Sequence, residues 1–536
     1  MDKKTVLAIV LSLILVMGYQ FLFMKPEPQS TGTARVEEKT AVSPQEDIDA
    51  KSDISSEKKK LVKEDDASKA GRDIEVHTPL FHAVLSTKGG ALKAFQLNKY
   101  RENLEKDSVP IEMVTSRKNM NYPLTVTFPD SNIDIPADAI YEANKDSLVL
   151  VNDDQEKNLV FTWSYPDKIR IEKIYSFYPD TYSFDLEVRV HNLSDTHISE
   201  EISVAWNEYV DPDANTDRYS HEGPVAFEKN SFVSENAKKL DEPKLFGPGV
   251  LWAGFESKYF ISSMISQKPS LTNLVISKDE RNVVSVALRG QKNLIPPGQT
   301  GIFRYDLYIG PKNYDQLKAQ GVGLENSINF GSWIKWLALP LLKALNFIEN
   351  FVGNYGVAII ILTILIKLIF WPLGTISYRS MKGMQKLQPE MLKIREKYKD
   401  DKAKIQQETM ALYRAHKVNP MSGCLPMLIQ IPVFFGLYRA LLYSIELRHS
   451  PFFLWIQDLS AKDPYYVTPV IMGATMFLQQ KMSPAPGGNE MQAKIMLWMP
   501  VIFTFLFLNF PSGLVIYWLF NNILSIGQQY YINKRN

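Results

Sequence analysis

The stretch Gly356-Val-Ala-Ile-Ile-Ile-Leu-Thr-Ile-Leu-Ile-Lys-Leu-Ile-Phe-Trp-Pro-Leu-Gly374 has the length and apolarity of a membrane-spanning helix, with a single cation inside it. Lys367 lies twelve residues after Tyr355 and twelve before Arg379. At about 1.5 Å of rise per residue it is roughly 18 Å from either flank, close to the bilayer midplane. A basic group at that depth costs at least about 2.5–3.5 kcal/mol on insertion scales, so it points to a function. Thr363 stands one turn earlier on the same helical face. None of the apolar stretches that follow contains an Asp or Glu to act as a resident counterion.

Four such stretches follow, near 422–445, 466–482, 496–510 and 512–530, the last two separated by the tight turn Phe510-Pro-Ser-Gly513. The Lys367 span itself is expected over 352–376. At the other end of the chain, Met1-Asp-Lys-Lys4 precedes an apolar run from Thr5 to Met24. No small-residue cleavage site follows that run, so residues 1–24 read as an uncleaved signal anchor with Lys3 and Lys4 in the cytoplasm. The total is six transmembrane helices with both termini inside.

Charge in the connecting segments sets the orientation. The segment 379–419 carries eleven basic and five acidic residues, a net +6, whereas 446–464 holds Arg448 and Lys462 against Glu446, Asp458 and Asp463. The positive-inside rule places 379–419 and the tail 531–536 in the cytoplasm. Residues 331–351 then lie outside. Their apolar face (Trp333, Trp336, Leu337, Leu341, Leu345, Ile348) is interrupted by Lys335, Pro340, Lys343 and Glu349, which fits an interfacial amphipathic helix. Within 379–419, Met384, Leu387, Met391, Ile394 and Tyr398 recur at spacings of 3 and 4, a heptad seam. Ile405, Thr409 and Leu412 continue it after a Lys-Asp-Asp turn, so an antiparallel helical hairpin is expected. Such a hairpin is either a solvated charged surface or a docking arm for substrate, RNA or lipid.

The first 330 residues are of a different kind, and the mean hydropathy of −0.16 averages over the two halves. Residues 25–71 lack the apolar content to fold and read as a flexible tether. From 72 to 330, Ile169-Arg-Ile-Glu-Lys173, Phe184–Val190 and Phe303–Ile309 alternate in the strand period. Gly89-Gly90, Tyr178-Pro-Asp180, Asn192–Asp195 and Pro296-Pro-Gly298 punctuate them, which fits a large β-sandwich outside the cytoplasmic membrane. One cysteine, Cys424, rules out an internal disulfide, so this domain stands on its own core.

Chemistry-bearing motifs are few. There is no His-Glu-x-x-His, no paired aspartates in the spans and no glycine-rich phosphate loop, so neither an enzyme nor an ATPase is indicated. Asp211-Pro-Asp-Ala-Asn-Thr-Asp-Arg-Tyr-Ser-His-Glu222 has acids or Asn at positions 1, 3, 5, 7 and 12 of a calcium loop, but Thr216 occupies the glycine position, so it reads as a polar surface loop. No metal or cofactor is expected. The net charge of +1 gives no reason to expect DNA as a partner. Polar residues recur at membrane depth: Gln430, Gln479, Gln480, Tyr517, Asn521 and Asn522. Each alone suits an interhelical hydrogen bond. Together with an unpaired lysine they suggest a water-filled cavity, because a buried lysine without an acid must lose its proton or be hydrated. Arg439 reads as a side chain snorkelling to the interface. Twelve of 18 methionines fall between Met381 and Met499, a flexible surface able to accept varied apolar partners, or ordinary packing.

Four ordered stretches resemble the YidC family of membrane protein insertases: Lys417-Val-Asn-Pro-Met-Ser-Gly-Cys-Leu-Pro-Met-Leu-Ile-Gln-Ile-Pro-Val-Phe434, Trp455-Ile-Gln-Asp-Leu-Ser-Ala-Lys-Asp-Pro-Tyr-Tyr466, Gln480-Lys-Met-Ser-Pro484 and Phe510-Pro-Ser-Gly-Leu-Val-Ile-Tyr517. The resemblance covers most of the chain and is densest from Gly356 to Gln529. It implies a five-helix core over 352–530 with a hydrophilic groove, open to cytoplasm and lipid and closed outside. It also implies a periplasmic supersandwich of the sugar-mutarotase type that is not an enzyme. The family's groove positions fall on Lys367, Thr363, Gln430, Tyr517 and Trp518. Many members carry arginine where this chain has Lys367, which keeps the charge and loses the bidentate fork. Trp518 stands where tyrosine is common, and the C-terminal tail is short.

The function implied is insertion and folding of integral proteins in the inner membrane, alone or with the Sec translocon and its accessory subunits. Nascent membrane proteins, transient ribosomes and membrane lipids are the expected partners. One rival reading is a secondary transporter or anion channel with Lys367 as the substrate site, against which stands the lack of internal repeats. The other is an anchored periplasmic carbohydrate-binding or mutarotase-type enzyme, which leaves the last 200 residues without a role.

Overall fold

Alternation of apolar and polar residues builds the largest sheet. Ile169–Phe177 and Ser183–Asn192 bury every second side chain, and Thr300–Pro311 completes the central trio of an antiparallel nine-stranded sheet. Its order is Ser231–Ser234, Gly223–Glu228, Val250–Glu256, Phe260–Ser266, Thr300–Pro311, Ser183–Asn192, Ile169–Phe177, Lys157–Tyr165 and Glu142–Ala143. This computed structural model describes residues 59–60, 71–117, 120–213, 221–399, 401–416, 418, 425–482 and 490–535. The anchor 1–24, nearly all of the tether, the centre of the 211–222 loop and Cys424 lie outside the described residues.

The chain divides into two compact units that meet between Ser327 and Ile328. In the β unit, two five-stranded sheets accompany the large one. The first contains Asp73–His77, Phe81–Ser86 and Ala91–Arg101; the second contains Ser203–Tyr209, Asn273–Lys278 and Val283–Arg289. Stacked rings join the first to the large sheet: Phe81 lies 4.4 Å from Phe95, and Phe184 lies 6.0 Å from Phe95 and 5.1 Å from Phe177. The strand period also turns one charge inward. Lys173 shares the buried face of Ile169, Ile171, Tyr175 and Phe177 and is fully buried. Its Nζ donates to Gly89 O at 3.0 Å and Leu124 O at 2.8 Å. Burial pushes its pKa down to about 7, so the two carbonyls hold an amine that gives up its proton easily. A short helix α1 (Tyr314–Ala319), capped by Asn313, follows the last strand.

The second unit is helical. Its elements are α2 (Lys335–Val352), α3 (Tyr355–Ile369), α4 (Trp371–Lys386), α5 (Gln388–Lys397), α6 (Lys402–Ala415), α7 (Leu425–Tyr443), α8 (Val467–Met482), α9 (Glu490–Phe507) and α10 (Ser512–Arg535). The centre is α10, which packs on α3, α4, α7 and α8, while α2 packs on α3 and α7 and α9 packs on α8. Two glycines permit close approach. A Cβ on Gly356 would sit 2.0 Å from the Phe452 ring, and one on Gly473 would sit 1.9 Å from Thr504 Oγ1.

Several sequence expectations are corrected here. The span 352–376 is not one helix: α3 ends at Ile369 and α4 begins at Trp371, bent by 65°. Pro372 has no N–H to continue the ladder and its ring crowds the preceding turn. The hairpin therefore does not begin at 379, because α4 runs on to Lys386. Its seam is also broken at Leu387, one residue before Gln388-Pro389 starts α5. Residues 531–535 are not a separate tail, since α10 continues to Arg535 with no proline or glycine after Gly527 to stop it. The face that packs α2 is Ala338, Leu341, Leu342, Leu345 and Ile348, while Trp333 and Trp336 are exposed.

Among the described residues no single helix is long and apolar enough to cross a membrane; α3 and α4 are so only as a bent pair, and Leu497–Phe507 is a shorter apolar segment. Polar residues and prolines recur inside the helices. Gln430, Pro432 and Arg439 interrupt α7, Gln479, Gln480 and Lys481 end α8, and Asn521, Asn522, Ser525, Gln528 and Gln529 line α10.

Candidate functional site

Lys367 occupies the last turn of α3, half-buried, and its ammonium donates to Ser525 Oγ of α10 at 2.6 Å. The Ser525 hydroxyl in turn donates to Asn521 O at 2.7 Å, which orients an oxygen lone pair toward the lysine. Tyr378 of α4 joins this cluster by side-chain hydrogen bonds with Ser525 and with Gln479 of α8. Helices α4, α8 and α10 thus link Tyr378, Gln479 and Ser525 into one polar cluster that meets the Lys367 ammonium of α3. Among the described residues no carboxylate pairs with Lys367. One neutral hydroxyl leaves two of the three ammonium protons for water or for a visiting acceptor.

Along α10 the polar side chains recur every three or four residues, which puts them on one buried seam. Asn522 Nδ2 donates to Thr475 Oγ1 at 3.3 Å, Gln528 Nε2 to Trp371 O at 3.0 Å and Gln529 Nε2 to Met482 O at 2.7 Å. The Gln528 bond meets the chain beside the α3–α4 break, where Pro372 has disturbed the backbone ladder.

The other expected groove residues divide into two kinds. Gln430 of α7 hydrogen-bonds the phenol of Tyr517 on α10, so these two come together. Thr363 is buried, and its hydroxyl donates to Ile359 O of its own helix at 2.6 Å; it fills space beneath Lys367 instead of offering a polar contact. Trp518 packs among Phe434, Phe503 and Phe507, with ring centroids 4.8, 6.0 and 5.4 Å away. Its indole nitrogen is buried with no hydrogen-bond partner among the described residues. Arg439 contacts Tyr443 one turn on, by a 3.3 Å hydrogen bond to its hydroxyl and by lying near its ring.

One end of this helical cluster is plugged. Asp463, 1% exposed, accepts from Thr468 N and Thr468 Oγ1 at 2.7 Å, Tyr465 N at 3.0 Å and Trp455 Nε1 at 3.1 Å. Burial works to raise its pKa, and these donors outweigh it and hold the carboxyl below its usual value. The same loop meets the start of α10, where Ser512 N donates to Ala461 O and Ser512 Oγ to Asp458 O. Asn354 ties α3 to the loop by donating to Pro451 O at 3.2 Å, while its Oδ1 caps the helix through Val357 N.

Beyond the other end, Met384, Leu387, Met391 and Tyr413 form a small buried core, with Met381, Leu412 and Val418 against it. Ile394 and Tyr398 are only partly buried. The seam therefore closes around Tyr413, whose hydroxyl reaches Met391 Sδ at 3.1 Å. Sequence reasoning missed Tyr413, Tyr378, Ser525, Gln528 and Gln529. The 521, 522, 525, 528, 529 spacing was a readable signal. Tyr378 had none, because only the bend after α3 turns it toward α10.

Two family models divide the chain: "60Kd inner membrane protein" matches residues 347–536 and "YidC periplasmic domain" matches residues 73–344. The membrane protein insertase YidC of Syntrophus aciditrophicus is 58% identical over the whole of both chains. That of Geobacter metallireducens is 41% identical over all of this chain and 98% of its own. A solved structure of an active YidC insertase with its first transmembrane domain resolved is similar at 23% identity and a TM-score of 0.38, over 86% of this chain and 93% of that one, too low a score to add to the argument.

Proposed function

Because this chain belongs to the YidC family of membrane protein insertases, with a β-sheet periplasmic domain and a helical C-terminal region in the inner membrane, we propose that Lys367 is the receiving charge for the polar end of a substrate in transit. The observation that carries this reading is the pairing of Lys367 with the neutral Ser525 hydroxyl in a four-helix polar cluster that holds no acid among the described residues.

In this reading the N-terminal run, α3, α7, α8, α9 and α10 make six spans with both chain ends in the cytoplasm. The helix α2 lies in the outer interface, and the β unit is a supersandwich in the periplasm. The Asp463 loop closes the outer end, and α5–α6 form the cytoplasmic arm. Basic side chains on that arm (Arg395, Lys397, Lys399, Lys404, Arg414) draw in an acidic segment or a ribosome surface. The nascent segment then places its short polar tail among Gln430, Tyr517, Ser525 and Tyr378, while its apolar part meets lipid beside the exposed Leu365, Leu368 and Ile369.

Magnitudes favour capture followed by release. A carboxylate at 4 Å from an ammonium gains about 4 kcal/mol at an effective dielectric of 20. That is comparable to the roughly 2.5–3.5 kcal/mol of holding a charge at the helix centre, so the tail is steadied and not trapped. Partition of the apolar segment into lipid supplies the net drive. Membrane potential adds about 2.3 kcal/mol per negative charge per 100 mV for the outward step. Lysine offers one point of contact where an arginine would grip both carboxylate oxygens, which suits brief occupancy. Cooperation with the Sec translocon is part of the proposal.

A photocrosslinking residue at Gln430, in vesicles presented with a ribosome-stalled membrane protein, tests it. The expected result is an adduct with the nascent chain and no chloride flux through the purified protein alone. Chloride flux without an adduct would favour the transporter reading and overturn this one.

A further inference from the structure

At the first hairpin of the β unit, Glu75, His77 and His82 turn toward one another. Glu75 and His77 are two residues apart on the strand Asp73–His77 and so share a face. His82 on Phe81–Ser86 is paired directly with His77. Thr78 fixes the turn between them: its N–H donates to Phe81 O at 2.9 Å, and its hydroxyl accepts from Phe81 N at 2.9 Å and Leu80 N at 3.2 Å. The imidazole rings stack, 4.2 Å between centroids and 7° apart in plane.

Glu75 Oε2 lies 3.0 Å from His77 Nε2 and 3.8 Å from His82 Nε2, and all three donor atoms fall within 4.8 Å of one another. His82 Nε2 is buried and has no hydrogen-bond partner among the described residues. A buried ring nitrogen without a hydrogen-bond partner among the described residues, a carboxylate and a second imidazole together make a set of donors of the kind that transition metals take. Tetrahedral bonds of about 2.0–2.2 Å place donors roughly 3.3 Å apart, within about an ångström or two of the arrangement seen. The His77 ring and the Glu75 carboxylate are exposed enough to swing toward the more buried His82 Nε2.

We propose that Glu75, His77 and His82 bind one divalent transition-metal ion of the zinc type, through the two Nε2 atoms and the carboxylate, with solvent in the fourth position. Two imidazoles select such an ion over calcium or magnesium, which take oxygen ligands. The ion would cross-link the first two strands of the periplasmic domain, directly after the segment that leads into it.

The test uses the untagged full chain in detergent, stripped with a chelator and titrated with zinc chloride against a chromophoric competitor. One zinc per chain is expected, with affinity falling about tenfold or more in Glu75→Gln and in His82→Ala. Hydrogen exchange in residues 73–86 should slow on adding zinc to the unsubstituted protein and not to His77→Ala/His82→Ala. The five other histidines are the internal background. No zinc bound, or the same zinc bound by the double variant with its far-ultraviolet dichroism intact, would overturn the proposal.

Discussion

Two lysines show how far one residue's meaning depends on its surroundings. Lys173 and Lys367 both sit at least partly inside the protein, and neither has a carboxylate partner among the described residues. Lys173 is closed in by two backbone carbonyls and serves the packing of the β unit. Lys367 meets one hydroxyl at the edge of a polar seam that reaches four helices. The sequence marks Lys367 because its apolar neighbours make a charge anomalous. It hides Lys173 because Lys is an ordinary residue in a strand that alternates. Ser525 was hidden for a similar reason, since serine in a helix carries no signal until a charge is seen to lean on it. If Ser525 holds the ammonium in place, Ser525→Ala removes a hydrogen bond to a charged group, worth about 1.5–3 kcal/mol. Insertion of acidic-tailed substrates should slow by roughly tenfold, and Ser525→Thr should keep most of the rate. Equal rates for Ser525→Ala and the unsubstituted protein, measured in reconstituted vesicles, would remove the positioning role.

The elements were legible where a single period runs without interruption and illegible where proline breaks it. Strands such as Ser183–Asn192 followed directly from alternation. The helices around residues 370 and 387 did not, because the apolar run continues across the first break and the heptad seam across the second, while Pro372 and Pro389 divide the backbone. The Glu75, His77 and His82 cluster was equally hidden, since the spacing becomes meaningful only once the hairpin register sets His82 opposite His77. Packing at the plugged end rests on Gly356, where any side chain meets the Phe452 ring. Gly356→Ala forces that ring away and with it the loop that caps the cluster. Overpacking of this kind costs about 1–3 kcal/mol. A lower unfolding temperature in detergent is expected, with the loss confined by hydrogen exchange to residues 444–466 and the start of α3. Unchanged protection there would show that the loop does not depend on this contact.

At the scale of the whole molecule, charge is segregated by segment. The net +6 of 379–419 contrasts with the apolar stretches 352–376, 422–445, 466–482, 496–510 and 512–530, which contain no acid. The distribution was fully legible, and so was the division into a β unit and a helical unit. The polar seam was legible only in part, because half of it depends on the bend that brings α4 beside α10. A charge exchange tests the central claim most directly. The rate at which vesicles carrying Lys367→Glu insert two substrates, identical except for an acidic or a basic outer tail, should fall for the acidic tail and recover for the basic one. Insertion of the acidic-tailed substrate at the unsubstituted rate would contradict the account, because Lys367 would then not be the charge that receives it.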